Sequence, residues 1–521
     1  WCYFTKVILK SFTFYKDFFL GEIERRLNLK QKHVATSRQG INQWLTQVEN
    51  PPVAKSRILV TAYRTHTWVE WAVYFAIIAR NLGFETTLLI KEVDILRLYP
   101  EPKKNNFWTR VNEIPGLKLI ELNNLDFEQK DYDYFYQSNL SKCADSLAYD
   151  NRIESANIIE DTDRFGDAIQ KFRSYSAKCS AGLYKYIQEN KLHSFYCFSG
   201  LIGETFALLD AALKGNLNTV CIEGWAWRKG HMIYNFNGPA LEYNVKGWMK
   251  HFGNWTKEKE KDLNNYFKFL NGEPRKEVWL KEFYNVQQAK LESEIPTHIK
   301  NFLEGDEKVY LLACNVIGDS SLLNRERFFK SHQDFIEKTV NYFKNHPSKK
   351  LIIRAHPGEE WVESKVKIKM GTFSKKVAEG IPNILVIDYL EKINTFRLIP
   401  YTKVGLVWLS SAGVDFVVRG VPVIAVANAK YSGLGIMEEP TTEEEYYALL
   451  DKYDQGNIVP TESQKQKAME YLYLVFKGFS FEAFGKNFSA NTTVMNRMSN
   501  QKEHDTFYKI ILGLIPAPDK N

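Results

Sequence analysis

Residues 403–427 read KVGLVWLSSAGVDFVVRGVPVIAVA. The run from Val404 to Leu409 is too apolar for a half-exposed strand and predicts one covered on both faces. Ser410-Ser411 then stand at the mouth of a helix, and a second apolar run, VPVIAVA (421–427), follows. Strand, helix, strand within so few residues is a parallel crossover unit. Upstream, VYLLAC (309–314), a helix at 329–345, KLIIRA (350–355), a helix near 373–379 and ILVID (384–388) continue the alternation. This part of the chain is therefore predicted to form a doubly wound sheet.

The first half carries a second alternation. RILVTAYRTHTWVEWAVYFAIIARNLGFETTLLI (57–90) reads as strand, turn, helix and strand, with Trp68, Trp71, Ala72, Phe75, Ile78, Ala79 and Leu82 at helical spacing. Strands are predicted at 117–121, 194–199 and 218–222, with a helix at 202–214. The segment 125–190 reads as a polar helical insertion or lid. A chain of 521 residues exceeds what one core usually serves. The expected division is an N-terminal helical segment (1–50), a first Rossmann-like domain (51–250), a helical linker (251–305), a second Rossmann-like domain (306–440) and closing helices (441–521). Two doubly wound domains facing a central crevice describe an α/β fold of GT-B architecture.

Composition narrows the partners. The net charge is +7, but residues 1–40 hold eight Lys or Arg against three Asp or Glu, so most of the excess lies there. A nucleic-acid protein needs a basic stripe across its folded surface, and none is predicted. The opening WCYFTKVILKSFTFYKDFFL is apolar yet interrupted by Lys6, Lys10, Lys16 and Asp17. It suits a helix lying on an anionic membrane surface, or packed on the protein body, better than one crossing a bilayer. The expected location is cytoplasmic, peripheral at the inner face of the membrane. The chain opens on Trp1, so further N-terminal sequence is expected. Cys2, Cys143, Cys179, Cys197, Cys221 and Cys314 form no C-x-x-C pair and read as reduced, mostly buried thiols.

In an open parallel sheet, ligands sit beyond the carboxyl ends of the strands, where helix N-termini favour anions. KLIIRA runs into His356-Pro357-Gly358-Glu359-Glu360, and KVGLVWL runs into Ser410-Ser411-Ala412-Gly413-Val414-Asp415. Arg354, His356 and the two serines can meet a phosphate, Gly413 permits close backbone approach, and Asp415 can accept from a ribose. Each loop alone also fits a structural role, as a strand-end His or a Ser cap with a first-turn acid.

LIIRAHPGEEW (351–361), followed by LVWLSSAGVDFVVRGVPVIAVANAKYSGLG (406–435), resembles the signature of the bacterial capsule polysaccharide biosynthesis family, which includes CMP-Kdo-dependent transferases. TTEEEYYALLDKY and SQKQKAMEYLYLVF resemble that family's closing helices. The resemblance covers 305–480 well and the first domain faintly. It implies a nucleotide-sugar donor, CMP-linked, whose phosphate is contacted by His356, Ser410 and Ser411; Arg354, Pro357, Glu359, Gly413, Asp415 and Tyr431 are the further candidate donor-site residues. Gly420 and Pro422 match positions that shape the pocket, and Asp415 stands where the family has Glu.

The acceptor, a surface polysaccharide or lipid-linked glycan, is expected from the first domain. Ile222-Glu223-Gly224-Trp225 closes a strand and resembles the acid-Gly segment placed opposite the donor, which makes Glu223 the candidate base or nucleophile. His66 is a second candidate, and Glu70, His231, Asn235 and Asn237 are candidate acceptor contacts. No cofactor or metal is required by these motifs, and the D-Y-D triplet at 131–133 reads as solvated acid in the polar insertion. Two alternatives remain: a polyol-phosphate transferase using a CDP-glycerol type donor, and a non-catalytic binding protein of the same fold.

Overall fold

A computed structural model describes residues 57–61, parts of 72–91, 113–224, 231–270, 294–360, 368–475 and 480–482, except for isolated residues within these ranges. Residues 1–50, the loop with His66 and Glu70, and Trp225 lie outside the described residues.

The first sheet follows from the apolar runs of the first half. Strands β1 (Arg57–Thr61), β2 (Glu85–Ile90), β3 (Leu117–Glu121), β4 (Ser194–Phe198), β5 (Asn218–Gly224), β6 (His231–Phe236) and β12 (Ser480–Glu482) are ordered β12-β6-β5-β4-β1-β2-β3. β1 pairs in parallel with both β2 and β4, so the winding reverses at the β1/β4 edge. A reversal point of this kind leaves a crevice above the strand ends.

Helices α1 (Gln129–Ser138), α2 (Leu140–Asn151), α3 (Ser155–Glu160), α4 (Thr162–Asn190) and α5 (Glu204–Lys214) bury Phe135, Cys143, Phe165, Ala177, Leu183 and Phe206 with Leu59 and Phe195 of the sheet. Residues 125–190 are thus a covering layer of the domain, not a polar lid. Their charged faces dominate the composition, while small residues such as Ala177, Ala181 and Gly182 hide the buried stripe. A Cβ at Gly182 would come within 2.9 Å of Leu125 Cβ, so α4 packs closely on that turn.

The second sheet contains β7 (Val309–Ala313), β8 (Leu351–Arg354), β9 (Ile384–Ile387), β10 (Thr402–Val407) and β11 (Val423–Ala425), all parallel in the order β11-β10-β7-β8-β9. Its reversal point lies between β7 and β10. Helices α9 (His332–Lys344), α10 (Met370–Val377), α11 (Ala412–Val418), α12 (Glu443–Asp454) and α13 (Glu462–Tyr473) flank it. Between the sheets run α6 (Val245–His251), α7 (Lys257–Leu270) and α8 (Thr297–Leu303). The described architecture is GT-B: two Rossmann-like domains.

Two features depart from the sequence reading. The stretch 231–236 is strand β6, antiparallel to β5, with the consecutive residues Met232, Ile233 and Tyr234 all buried. The closing segment is not purely helical: after α13 the chain returns to the first sheet, where β12 pairs antiparallel with β6.

The domains are joined by a charged cap. Glu154, just before α3, accepts hydrogen bonds from the backbone N–H groups of His332 (2.7 Å) and Gln333 (3.3 Å) at the start of α9, whose own cap is Ser331. These amides have no partner inside their helix, and an acid is favoured there by the helix dipole. Burial nevertheless pushes the Glu154 carboxyl up to about 7.

His332 is fully buried between Phe335 and Trp408, and neither ring nitrogen makes a hydrogen bond. Burial pushes its pKa down to about 3. His332→Phe keeps the ring stack and removes two unsatisfied polar atoms, so we expect it to raise Tm by a few degrees at pH 7. The gain should grow by roughly 1.4 kcal/mol per unit as pH falls below about 6.5, where the unfolded imidazole binds a proton and the folded one does not. Denaturant unfolding of both proteins at pH 7 and 5.5 checks this; an equal difference at both would contradict it.

Candidate functional site

Loops from both sheets converge at their carboxyl ends. From the first come Ser199, after β4, and Glu223 in β5. Ser199 is buried with φ of 60°, a left-handed backbone that costs a non-glycine residue energy and that recurs at functional sites. Its N–H donates to Ile222 O at 2.9 Å, which locks it beside the end of β5. Glu223 Oε2 is buried without a hydrogen-bond partner. Burial pushes this carboxyl up to about 7, with Ser199 and Lys430 acting downward and Asp319 upward.

From the second sheet, the loop after β7 brings Asp319, whose carboxylate accepts from Ser321 N at 2.8 Å. The loop after β8 brings His356. Gly358 N–H donates to His356 Nδ1 at 2.9 Å, so in the neutral ring Nε2 carries the proton. Burial, and next the Arg354 charge, push this imidazole down to about 4 against the upward pull of Asp319. The ring is therefore a neutral donor at physiological pH. Gly358 is required sterically: an added Cβ would lie 2.8 Å from Nδ1.

The loop after β10 brings Ser410, which is buried, and Ser411, which is exposed. Tyr431 OH donates to Ser410 O at 3.1 Å and stacks edge-on against Tyr471, holding that loop from behind. Arg327 fixes the chain around Tyr431 through Ala427 O (3.1 Å), Ser432 Oγ (3.3 Å), Pro440 O (3.0 Å) and Asn428 Oδ1 (3.2 Å).

Several residues expected to touch a ligand are occupied structurally. Arg354 is buried and donates to the backbone carbonyls of Ile387, Asp388 and Ile393 (3.0 Å), tying β8 to the loop after β9. Glu359 accepts from Met370 N (2.8 Å) and Gly371 N (3.4 Å) and caps α10. Pro357 starts the short turn that aims Glu359 there. Gly413 serves the sheet, since a Cβ would meet Val407 and Val423 at 3.2 to 3.3 Å. Gly420, with φ of 87°, ends α11, and Pro422 O accepts from Gly405 N at 2.9 Å. Asn235 donates to Pro239 O (2.9 Å) and Asn237 accepts from Thr219 N (3.3 Å), so both brace the β5/β6 edge. The backbone of His231 pairs with Glu482 of β12.

Asp415 is buried, its Oδ1 lacks a hydrogen bond, and burial pushes it up to about 7 against Arg419. Asp131 is likewise buried, 3.5 Å from Lys214, and not solvated.

Asp319, Ser199 and Lys430 were not singled out in the sequence. Asp319 could have been found by the strand-end rule that selected His356, because it follows β7 at the reversal point. Ser199 and Lys430 carry no sequence signal, since a left-handed serine and a buried lysine both depend on tertiary packing. Among the described residues, no three His, Cys, Asp or Glu side chains are grouped to hold a metal ion, and no helix is long and apolar enough to cross a membrane. The five described cysteines are free and buried.

Residues 250–452 match the family described as capsule polysaccharide biosynthesis protein. The match spans β7 to β11 with the His356 and Ser410 loops; Glu223 lies outside it. No curated protein gives a significant match. Among solved structures, the chain is similar to the β-Kdo 2,7-transferase of Thermosulfurimonas dismutans KpsC, with 10% identity over 56% of this chain and 79% of that one and a TM-score of 0.32. It is also similar to Acinetobacter baumannii MurG (11% identity, 81% and 94% covered, TM-score 0.25). A third is the UDP-GlcNAc 2-epimerase of Neisseria meningitidis bound to UDP-GlcNAc (11% identity, 81% and 97% covered, TM-score 0.24). At these scores no residue role is transferred.

Two outcomes are expected. Long-range proton–nitrogen NMR of a histidine-labelled sample should show His356 as the Nε2–H tautomer, unchanged between pH 7.5 and 5.5; a midpoint near 6.5 would contradict the half-buried, backbone-held ring. Glu359→Ala should lower stability by about 1–2 kcal/mol in denaturant unfolding through loss of the α10 cap.

Proposed function

We propose that the protein is a glycosyltransferase that moves a sugar from a nucleotide-activated donor, a CMP-linked acidic sugar of the Kdo kind, to a surface polysaccharide or lipid-linked glycan acceptor. What supports this reading is a neutral imidazole donor on the loop after β8 and a raised carboxyl in β5 of the other sheet, with Asp319 acting on both. The capsule family match and the resemblance of the His-Pro and Ser-Ser loops support the donor assignment.

In this scheme the acceptor hydroxyl attacks the anomeric carbon and passes its proton to Glu223. The bond from that carbon to the phosphate oxygen breaks, and its electron pair leaves with the nucleotide. His356 Nε2–H and the Ser410-Ser411 loop meet the oxygen that gains charge. A carboxyl held near 7 suits a base working close to neutral pH. The unpartnered Asp415 oxygen would be satisfied by a ribose hydroxyl. No metal is invoked for the leaving phosphate. Residues 1–40 would hold the protein at the inner membrane face.

The test is a thermal-shift panel of CMP, UDP, GDP and CDP-glycerol followed by transfer assays with the best binder, with and without EDTA. CMP should raise Tm most, because a ligand that binds only the folded state stabilises it. Glu223→Gln and His356→Ala should each lower kcat/KM by about a hundredfold or more. Retention of full transfer by both variants, or preference for CDP-glycerol, would overturn the reading.

A further inference from the structure

The loop from β7 to α9 starts between the His356 and Ser410 loops. β7 has β8 and β10 as its neighbours in the sheet. Asn315 Oδ1 accepts from Leu409 N at 3.4 Å, and Val316 Cγ2 lies 3.5 Å from where a Cβ at Gly358 would fall. Farther along, Asn324 has φ of 60°, a left-handed backbone that costs a non-glycine residue energy. Arg325 follows directly, and its backbone is fixed to the loop after β11. Arg325 O accepts from Asn428 N at 2.8 Å, and Glu326 O accepts from Asn428 Nδ2 at 2.9 Å. The strained turn and these two bonds set one guanidinium against the first domain.

Its contact there is incomplete. The facing acid is Glu242, on the turn Ala240–Glu242, which Ala240 N–H ties to Ser199 O at 2.8 Å. Arg325 Nη2 stands 3.8 Å from Glu242 Oε1, too far for a hydrogen bond. Nε and Nη2 are both buried and make no hydrogen bond, and the side chain is 15% exposed. Arg327, two residues on, differs: its Nε, Nη1 and Nη2 donate to Asn428 Oδ1, Pro440 O and Ala427 O. Arg327 is therefore a structural tie, and Arg325 is not. Nε and Nη2 form one edge of the planar guanidinium, the edge that takes the two oxygens of a carboxylate or phosphate side-on.

We infer that Arg325 is a binding residue for the donor's anionic group, a phosphate or a sugar carboxylate gripped by Nε and Nη2, and that Glu242 competes for the same guanidinium. The assignment rests on the reading of the crevice as a nucleotide-sugar site and adds the residue that holds the charge. An anion satisfies two buried donors at once, a gain that a ligand without the charge cannot make. Because Glu242 belongs to the first domain and Arg325 to the second, the exchange also replaces a direct tie between the domains with one made through the ligand.

Calorimetry with CMP, cytidine, free Kdo and inorganic phosphate tests it on the parent, Arg325→Gln, Arg325→Lys and Glu242→Gln, each checked for folding by circular dichroism. If the anion is the phosphate, CMP should bind the parent about tenfold or more tightly than cytidine, and Arg325→Gln should remove that difference while cytidine is unchanged. If it is the sugar carboxylate, free Kdo should lose about tenfold in Arg325→Gln while CMP keeps its advantage. A merely structural role would not separate charged from uncharged ligands. Arg325→Lys, a point charge without the fork, should recover part of the loss. Glu242→Gln should tighten the same anion, and a looser complex would remove the competition from the scheme. Equal binding of CMP, Kdo and phosphate by the parent and Arg325→Gln overturns the inference and leaves the transferase reading to His356→Ala. Loss of an anion in Arg325→Gln with no transfer in any assay supports the site and ends only the transferase reading. A parent that binds none of the three anions ends both.

Discussion

The contact between Glu154 and the first amides of α9 fixes how the two halves of the protein meet. It joins a carboxyl of the helical layer on the first sheet to a helix that packs on the second. Above a pH of about 7, where the Glu154 carboxyl is ionised, these are among the stronger hydrogen bonds available, at about 1.5–3 kcal/mol each. This one also occupies an anion-seeking helix terminus with the protein's own acid. With the sheets so held, loops that are far apart in sequence share one electrostatic environment, and Asp319 is felt by Glu223, His356 and Lys430 together.

That environment is half-buried. Burial is the largest influence on Glu223, His356, Asp415 and Lys430, and in each case it favours the uncharged form. Low-dielectric surroundings make each remaining charge more effective, which is the condition for stabilising charge that develops during a reaction. Structural groups keep the site in shape: Arg354 and Glu359 fix the loops on either side of His356, and Tyr431 fixes Ser410.

Most of the fold was legible because fully buried parallel strands are written as continuous apolar runs. The strands of the second sheet lie on the predicted segments, and the sequence rule that ligands gather beyond strand ends led to His356, Ser410 and Glu223. The rule does not distinguish a side chain that faces the crevice from one that turns back into the protein. Arg354 and Glu359 flank His356 closely in sequence yet bond to backbone groups of neighbouring elements, a difference set by rotamer and packing. Strand β6 was hidden because its pairing partners are Glu223's own strand and a segment more than two hundred residues away. Lys430 was hidden because a lysine reads as surface until its neighbours are known.

The short strand β12 changes what kind of object the second domain is. The chain leaves the first sheet after β6, completes the whole of the second domain, and then comes back to hydrogen-bond along β6. The second domain is thus an inset carried within the first, tethered by two crossings instead of strung after it on one. Severing either crossing alone would leave the halves still connected. Relative motion is restricted accordingly: a single tether permits swivelling in any direction, whereas a pair defines an axis.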